Sequence, residues 1–117
     1  MGVLAMSRAI GDLCFRPYGV ICDPDVVTTT RSEEDEYLLL ATDGLWDVLT
    51  NEEAYRIIRH TVASNRAQAV SLEECIQSSA NRLTRIALDR GSRDNITVIL
   101  LDLQSDMESL QSHKETV

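Results

Sequence analysis

Two stretches of the sequence are apolar at almost every position, whereas two others are apolar only at every third or fourth position. The continuous runs are Tyr37–Thr42 and Ile96–Leu103, and runs of this kind and length predict buried β-strands. Apolar residues recur at helical spacing over Ala54–Val62 and over Leu72–Ala87. This spacing predicts two amphipathic helices.

Local signals mark where these helices begin and end. Thr50 with Glu53, and Ser71 with Glu74, have the capping-box spacing, in which each side chain satisfies a free backbone N–H at a helix start. Gly91 follows the second helix and predicts its end, because glycine tolerates the left-handed cap conformation.

The first thirty residues predict less regular structure. Leu13–Pro24 contains two prolines and a glycine and is predicted to be a loop. Val26–Thr30 is β-branched throughout, which predicts a strand at a sheet edge. The short apolar segment Gly2–Met6 is predicted to be a strand or the end of one.

The predicted elements do not close a core by themselves. Side chains alternate between the two faces of a strand, so continuously apolar strands require both faces of their sheet to be covered. Two helices suffice for one face only. Either Trp46 and loop residues fill the remaining gap, or a larger sheet assembly, from more chain or another molecule, covers the second face.

Composition and charge exclude some classes of function. The 117 residues are 44% hydrophobic and carry a net charge of −8 from 11 basic and 19 acidic residues. This balance argues against binding to nucleic acid or anionic membranes. No apolar run is long enough to span a membrane. Three cysteines without pairing or zinc-ligand spacing, and no signal-peptide pattern, predict an intracellular protein of the cytoplasm, the nucleus or both.

Two acidic residues lie at the ends of the predicted strands. Asp43 follows the first strand and Asp94 precedes the second. If the strands are antiparallel neighbours, both carboxylates lie at one rim of the sheet. Two close carboxylates repel each other unless a cation neutralises them, and Mg²⁺ or Mn²⁺ prefers such oxygen ligands.

Structural roles also account for these acids. Asp43 and Asp94 could each be turn residues that bond to nearby backbone. Asp47 is predicted to lie near the start of the following helix, where its charge would favour the positive end of the helix dipole.

Four segments in this order resemble one family: LAMSRAIGD (Leu4–Asp12), DPDV (Asp23–Val26), LLLATDGLWDVLTNEEA (Leu38–Ala54) and GSRDNITVILLDL (Gly91–Leu103). Together they resemble the C-terminal part of a metal-dependent protein serine/threonine phosphatase of type 2C, with GVLAMSRAIGD closest to plant members. The resemblance implies an α+β fold, namely the C-terminal portion of an α-β-β-α sandwich with mainly antiparallel strands and two helices on one face.

The resemblance also implies roles for individual residues. Asp43 and Asp94 match metal ligands of a two-metal Mg²⁺ or Mn²⁺ centre, and Asp47 matches an acid associated with a weaker third metal. Gly44 and Asn95 are expected to support the site. The implied substrates are phosphoserine and phosphothreonine proteins, and a regulatory protein or a complementing phosphatase segment is the expected partner.

Other parts of the family pattern have no match in this sequence. The phosphate-binding arginine, a Glu-Asp pair, and the DGHGG motif with its bridging Asp and proposed general-acid His do not occur. Residues 1–103 are therefore expected to be the C-terminal part of a catalytic domain, and 104–117 a polar, disordered tail. We expect little activity from this chain alone, and a non-catalytic interaction module or competitor is the alternative.

Overall fold

The structure, a computed structural model, describes residues 6–104. The chain divides into two compact units, with the boundary between Arg31 and Ser32. Both the predicted strand over Gly2–Met6, apart from its last residue, and nearly all of the predicted tail lie outside the described residues. The domain limits of 1–103 and 104–117 stay predictions.

The first unit holds one short helix and no extended strand among its described residues. A 3-10 helix covers Leu13–Tyr18 and ends at Gly19, where we predicted a loop. An ion pair of 2.6 Å joins Arg8 to Asp25. The predicted strand over Val26–Thr30 is wrong: this segment is exposed and forms no ladder. β-branched residues favour a strand only when a partner strand receives their hydrogen bonds.

The second unit contains all the regular elements that the apolar pattern predicts. Strand β1 (Tyr37–Ala41) leads into a one-turn helix α1 (Asp43–Trp46). Helices α2 (Asn51–Arg66) and α3 (Leu72–Asp89) follow, and strand β2 (Val98–Asp102) completes the unit. None of the described helices is both long and apolar enough to cross a membrane.

The predicted helix boundaries are confirmed. Thr50 and Ser71 are the N-caps of α2 and α3, and both capping boxes form in full with Glu53 and Glu74. Gly91 follows α3 with φ of +86°, a conformation that a residue with a Cβ atom adopts at a cost. The chain can therefore reverse there and enter β2.

The two strands pair antiparallel, with Ala41 opposite Val98 and Tyr37 opposite Asp102. One face of this sheet, the covered face, packs against the helices through Tyr37, Leu39, Ala41, Val98 and Leu100. The core beneath it includes fully buried side chains of all three helices, among them Leu45, Ile58 and Leu83. An α+β arrangement with two long helices on one face is thus confirmed.

The other face of the sheet, the open face, consists of Leu38, Leu40, Ile99 and Leu101. These side chains are 43%, 50%, 52% and 40% exposed, respectively. Trp46 does not fill this gap, because it packs against the buried core and borders a surface depression with Tyr37 and Leu39 of the covered face. Among the described residues, nothing buries the open face, and its four side chains stay exposed.

Candidate metal centre

The two acid-bearing loops meet at one rim of the sheet. Strand β1 ends at Ala41, which lies opposite the first residue of β2, Val98. Asp43 follows β1 by two residues, and Asp94 precedes β2 by four. The antiparallel pairing on which the predicted convergence depended is thus present in the structure.

The hydroxyl group of Thr42 joins the two loops. Its Oγ1 donates to the Asn95 carbonyl at 2.9 Å and accepts from the Thr97 N–H at 3.1 Å. The Thr42 N–H also donates to the Thr97 carbonyl at 3.1 Å. One residue next to Asp43 therefore forms three hydrogen bonds to the segment that follows Asp94.

Ser92 forms a second link in the opposite direction. Its Oγ donates to the Gly44 carbonyl at 2.6 Å, a short bond for an O–H donor. Ser92 lies two residues before Asp94, and Gly44 lies directly after Asp43. Each loop thus bonds to a neighbour of the other loop's acid, and the backbones of the two acids are held in a fixed relation.

Gly44 allows the two loops to approach each other closely. It is buried in α1, and a Cβ atom built there would overlap the carbonyl oxygen of Asn95 and lie 3.0 Å from its carbonyl carbon and 3.2 Å from Ile96 Cγ1. Backbone atoms cannot move aside as a flexible side chain can. The structure therefore gives Gly44 and the main chain of Asn95 a spacing role beside the acids.

The carboxylates of Asp43 and Asp94 are exposed and bond only locally. Oδ1 of Asp43 accepts from the Gly44 N–H at 3.0 Å, and Oδ1 of Asp94 accepts from the Asn95 N–H at 2.7 Å. These are bonds of the kind that the turn interpretation predicts. Among residues 6–104 neither carboxylate has any other partner, so one oxygen of each stays available to a ligand.

Asp47 lies between the end of α1 and the start of α2. It is the C-cap of α1, whereas the first turn of α2 contains Glu52 and Glu53. Asp47 borders a surface depression with Asn51 and Glu52 at the start of α2, and its interaction with the helix dipole stays a prediction. Asp47 also lines a second surface depression, together with Asp94.

An arginine at the end of α3 fixes the segment after Asp47. Arg90 donates through Nη1 to the Val48 carbonyl at 2.8 Å, and its two Nη atoms bond both oxygens of Glu53 at 2.8 and 2.9 Å. The Arg90 guanidinium, aided by the Thr50 N–H, lowers the pKa of Glu53 from 4.5 to about 2. Arg90 also lies four residues before Asp94, so it connects both acid-bearing segments.

The donor chemistry fits a hard divalent cation in kind, since such ions select carboxylate oxygens. Among the described residues, however, no group of three or more His, Cys, Asp or Glu side chains lies close enough to hold a metal ion. Asp43, Asp94 and Asp47 could therefore supply only part of a coordination shell, with waters or groups from outside residues 6–104 supplying the rest.

Comparison with known proteins shows the family to which this segment belongs. The family model described as Protein phosphatase 2C matches residues 1–96. The chain belongs to the protein phosphatase 2C family. The family match includes both Asp43 and Asp94, so the two loops that meet at the rim are part of the family's shared sequence.

Several relatives of the protein phosphatase 2C family are similar over most of the chain. Protein phosphatase 2C 37 of Arabidopsis thaliana is 46% identical over 106 residues, which are 89% of this chain and 26% of that protein. Protein phosphatase 2C 16 of Arabidopsis thaliana is 43% identical over 89% of this chain and 22% of that protein. Probable protein phosphatase 2C 8 of Oryza sativa is 40% identical over 98% of this chain and 29% of that protein.

The plant-like resemblance to protein phosphatase 2C is thus confirmed. The chain spans about a quarter of the length of the curated relatives that it matches. What the matches establish is family membership of this segment.

Three residues that organise the rim were not predicted from the sequence. Thr42 and Ser92 bond across the loops, and Arg90 clamps the turn after Asp47. A signal existed for the first two, because a hydroxyl residue stands within two positions of each acid. Nothing in the spacing of Arg90 and Glu53, 37 residues apart, predicts their pairing.

Proposed function

We propose that this chain contributes Asp43 and Asp94 to the Mg²⁺ or Mn²⁺ centre of a protein serine/threonine phosphatase. The observation that carries the proposal is the meeting of their two loops at one rim, with one oxygen of each carboxylate unpartnered among residues 6–104. Asp47, beside Asp94 in one depression, is proposed to bind a weaker third ion.

The bound ions would activate a water molecule and neutralise the phosphate of a phosphoserine or phosphothreonine substrate. The residues of this chain would hold the ions and orient the loops that carry the ligands. Asp43 and Asp94 provide oxygen ligands, and Thr42 and Ser92 keep their loops at a fixed separation. Preorganised ligands of this kind need little rearrangement during the reaction.

The chain on its own is proposed to bind Mg²⁺ or Mn²⁺ weakly and to have little phosphatase activity. The sequence has no match for the bridging acid, the phosphate-binding arginine or the general-acid histidine of the family pattern. Two exposed carboxylates and waters hold a divalent ion less tightly than a complete ligand set does.

Metal binding can be measured without activity. Titration of the purified chain with Mn²⁺, followed by electron paramagnetic resonance, should show binding that Asp43→Asn and Asp94→Asn each weaken by roughly tenfold or more. Asp102→Asn is the matched control, since Asp102 lies at the opposite end of the same two strands. Equal binding by all four proteins would contradict the proposed ligands.

Activity is tested separately, by Mn²⁺-dependent release of phosphate from a phosphothreonine peptide. Hydrolysis that Asp43→Asn removes would show that another group replaces the missing bridging acid. No hydrolysis by a folded, Mn²⁺-binding chain is the result we expect, and it would assign catalysis to a more complete domain.

A second function is favoured by the open face. Four apolar side chains that are 40–52% exposed form one contiguous patch on paired strands. We propose that a second β-sheet of a complementing phosphatase segment packs there, and that the chain then acts as an interaction module inside the cell. A compact monomer in analytical ultracentrifugation that binds no apolar dye would refute this second function.

A further inference from the structure

A cleft between α2 and α3 has a composition unlike the rest of this acidic chain. It has a volume of about 300 Å³. Its lining consists of Glu53, Arg56, Ile57, His60, Arg82 and Arg90. Three guanidinium groups and one imidazole thus surround a single carboxylate, in a protein whose net charge is −8.

The single carboxylate of the α2–α3 cleft is already neutralised. Glu53 forms the two-pronged ion pair with Arg90 described above. Arg82 has only a long hydrogen bond of 3.4 Å from Nη1 to Thr61 Oγ1. Within residues 6–104 the Arg56 side chain has no hydrogen-bond or ion-pair partner. Among the residues that the structure describes, no acid forms an ion pair with Arg56 or Arg82, so the cleft keeps two positive charges without an ion-pair partner.

Arg59, which also lies on α2 but outside the cleft, has partners of the kind that Arg56 lacks. Arg59 lies 3.6 Å from a Glu36 carboxylate oxygen and 5.7 Å from the centre of the Tyr55 ring. Arg59 thus has its own acid and its own aromatic contact. Arg56 lies three residues before Arg59 on α2 and lines the cleft. Within the described residues it has neither an acidic partner nor an aromatic contact.

Guanidinium groups recognise oxyanions through paired N–H donors, and phosphate accepts such pairs particularly well. A phosphate monoester concentrates close to two negative charges on three oxygens, which matches the two positive charges of Arg56 and Arg82. A peptide rich in Asp and Glu would instead spread its charge toward the surrounding acidic surface. A single phosphorylated side chain is therefore the better occupant.

We propose that the α2–α3 cleft binds a phosphorylated residue of a protein partner, with Arg56 and Arg82 holding the phosphate. This binding uses none of the acids at the sheet rim. The choice of a phosphorylated protein as ligand rests on the proposed function, because a phosphatase encounters such proteins as substrates.

The test is fluorescence anisotropy with a labelled phosphothreonine peptide in EDTA, without divalent metal. Binding is then independent of the metal centre and of hydrolysis, so failure here and failure of the proposed function are separate results. We expect the peptide to bind at least about tenfold more tightly than its unphosphorylated form, which corresponds to about 1.4 kcal/mol. The double variant Arg56→Ala/Arg82→Ala should lose that difference.

Arg59→Ala is the matched control and should bind like the wild type. Arg56→Gln/Arg82→Gln repeats the test with a similar side-chain length, in case the alanine variant does not fold. Binding by either double variant at wild-type affinity would overturn the proposal, as would equal binding of a peptide with Glu in place of phosphothreonine. Displacement by inorganic phosphate at the peptide's own concentration would show a site for free phosphate rather than for a protein.

Discussion

The two faces of the β1–β2 sheet have nearly the same chemistry and opposite surroundings. Leu39 and Leu100 on the covered face pack against a helical core, whereas Leu40 and Leu101 on the open face are 50% and 40% exposed. Adjacent leucines in one strand thus differ only in the face to which they point. The difference shows that an apolar run predicts burial only as far as the structure supplies something to cover each face.

A matched pair of substitutions tests this comparison most directly. Leu39→Ala should reduce the free energy of unfolding by about 1–2 kcal/mol, because Leu39 is partly buried and would lose its contacts with the core. Leu40→Ala should change it by less than about 0.5 kcal/mol. Urea denaturation of both variants measures the difference. Equal losses would mean that the open face is covered in solution.

Gly44→Ala tests whether the two loops at the rim are packed as rigidly as the covered face of the sheet. Alanine favours helices over glycine by about 1 kcal/mol, so an uncrowded site would be stabilised. Here the new Cβ would overlap the Asn95 carbonyl oxygen, and we expect a net loss of about 1–3 kcal/mol together with weaker Mn²⁺ binding. Denaturation and Mn²⁺ titration measure both effects, and a more stable variant would show that the loops separate freely.

Ser92→Ala should have a smaller effect on the same rim. It removes the 2.6 Å bond to the Gly44 carbonyl, which should cost about 1 kcal/mol. Mn²⁺ affinity should fall, and Ser92→Thr, which keeps the hydroxyl, should recover most of it. Loss of stability without any change in Mn²⁺ affinity would give Ser92 a structural role only.

Acid should slightly lower the free energy of unfolding, because it breaks the ion pair of Glu53 with Arg90 beside the helices that pack on the covered face. The pKa of Glu53 in the folded chain, about 2, lies below its ordinary value of 4.5. The contribution of this pair is therefore complete above about pH 4.5 and is lost as the pH falls through about 2. The effect is small because the pair is partly exposed.

Unfolding free energies of the wild type and Glu53→Gln, measured between pH 6 and about pH 2, check the acid effect. The difference between them should shrink as the pH falls. A difference that stays constant over this range would show that the ionised carboxylate contributes nothing to stability.

The sequence predicted the second unit well because its signals are local and repeated. Continuous apolar runs located β1 and β2 to within two residues, and complete capping boxes located the starts of α2 and α3. Helix α1 was missed, because four residues are too few for periodicity to appear. Val26–Thr30 misled because propensity cannot show whether a partner strand exists.

The candidate site was predictable only in part. The positions of Asp43 and Asp94 at strand ends predicted that their loops would meet. The bonds that Thr42, Ser92 and Arg90 form across the rim were not predictable, since each joins residues between 37 and 55 positions apart. Such contacts depend on how the chain folds back on itself.

The pairing of Leu40 with Ile99 has a consequence at the rim, several residues away. A shift of either strand by one residue would move the covered-face side chains of that strand to the open face and would also displace Asp43 relative to Asp94 by about 3.3 Å. The apolar patch and the acidic pair therefore depend on the same strand register. A change in that register alters both of them at once.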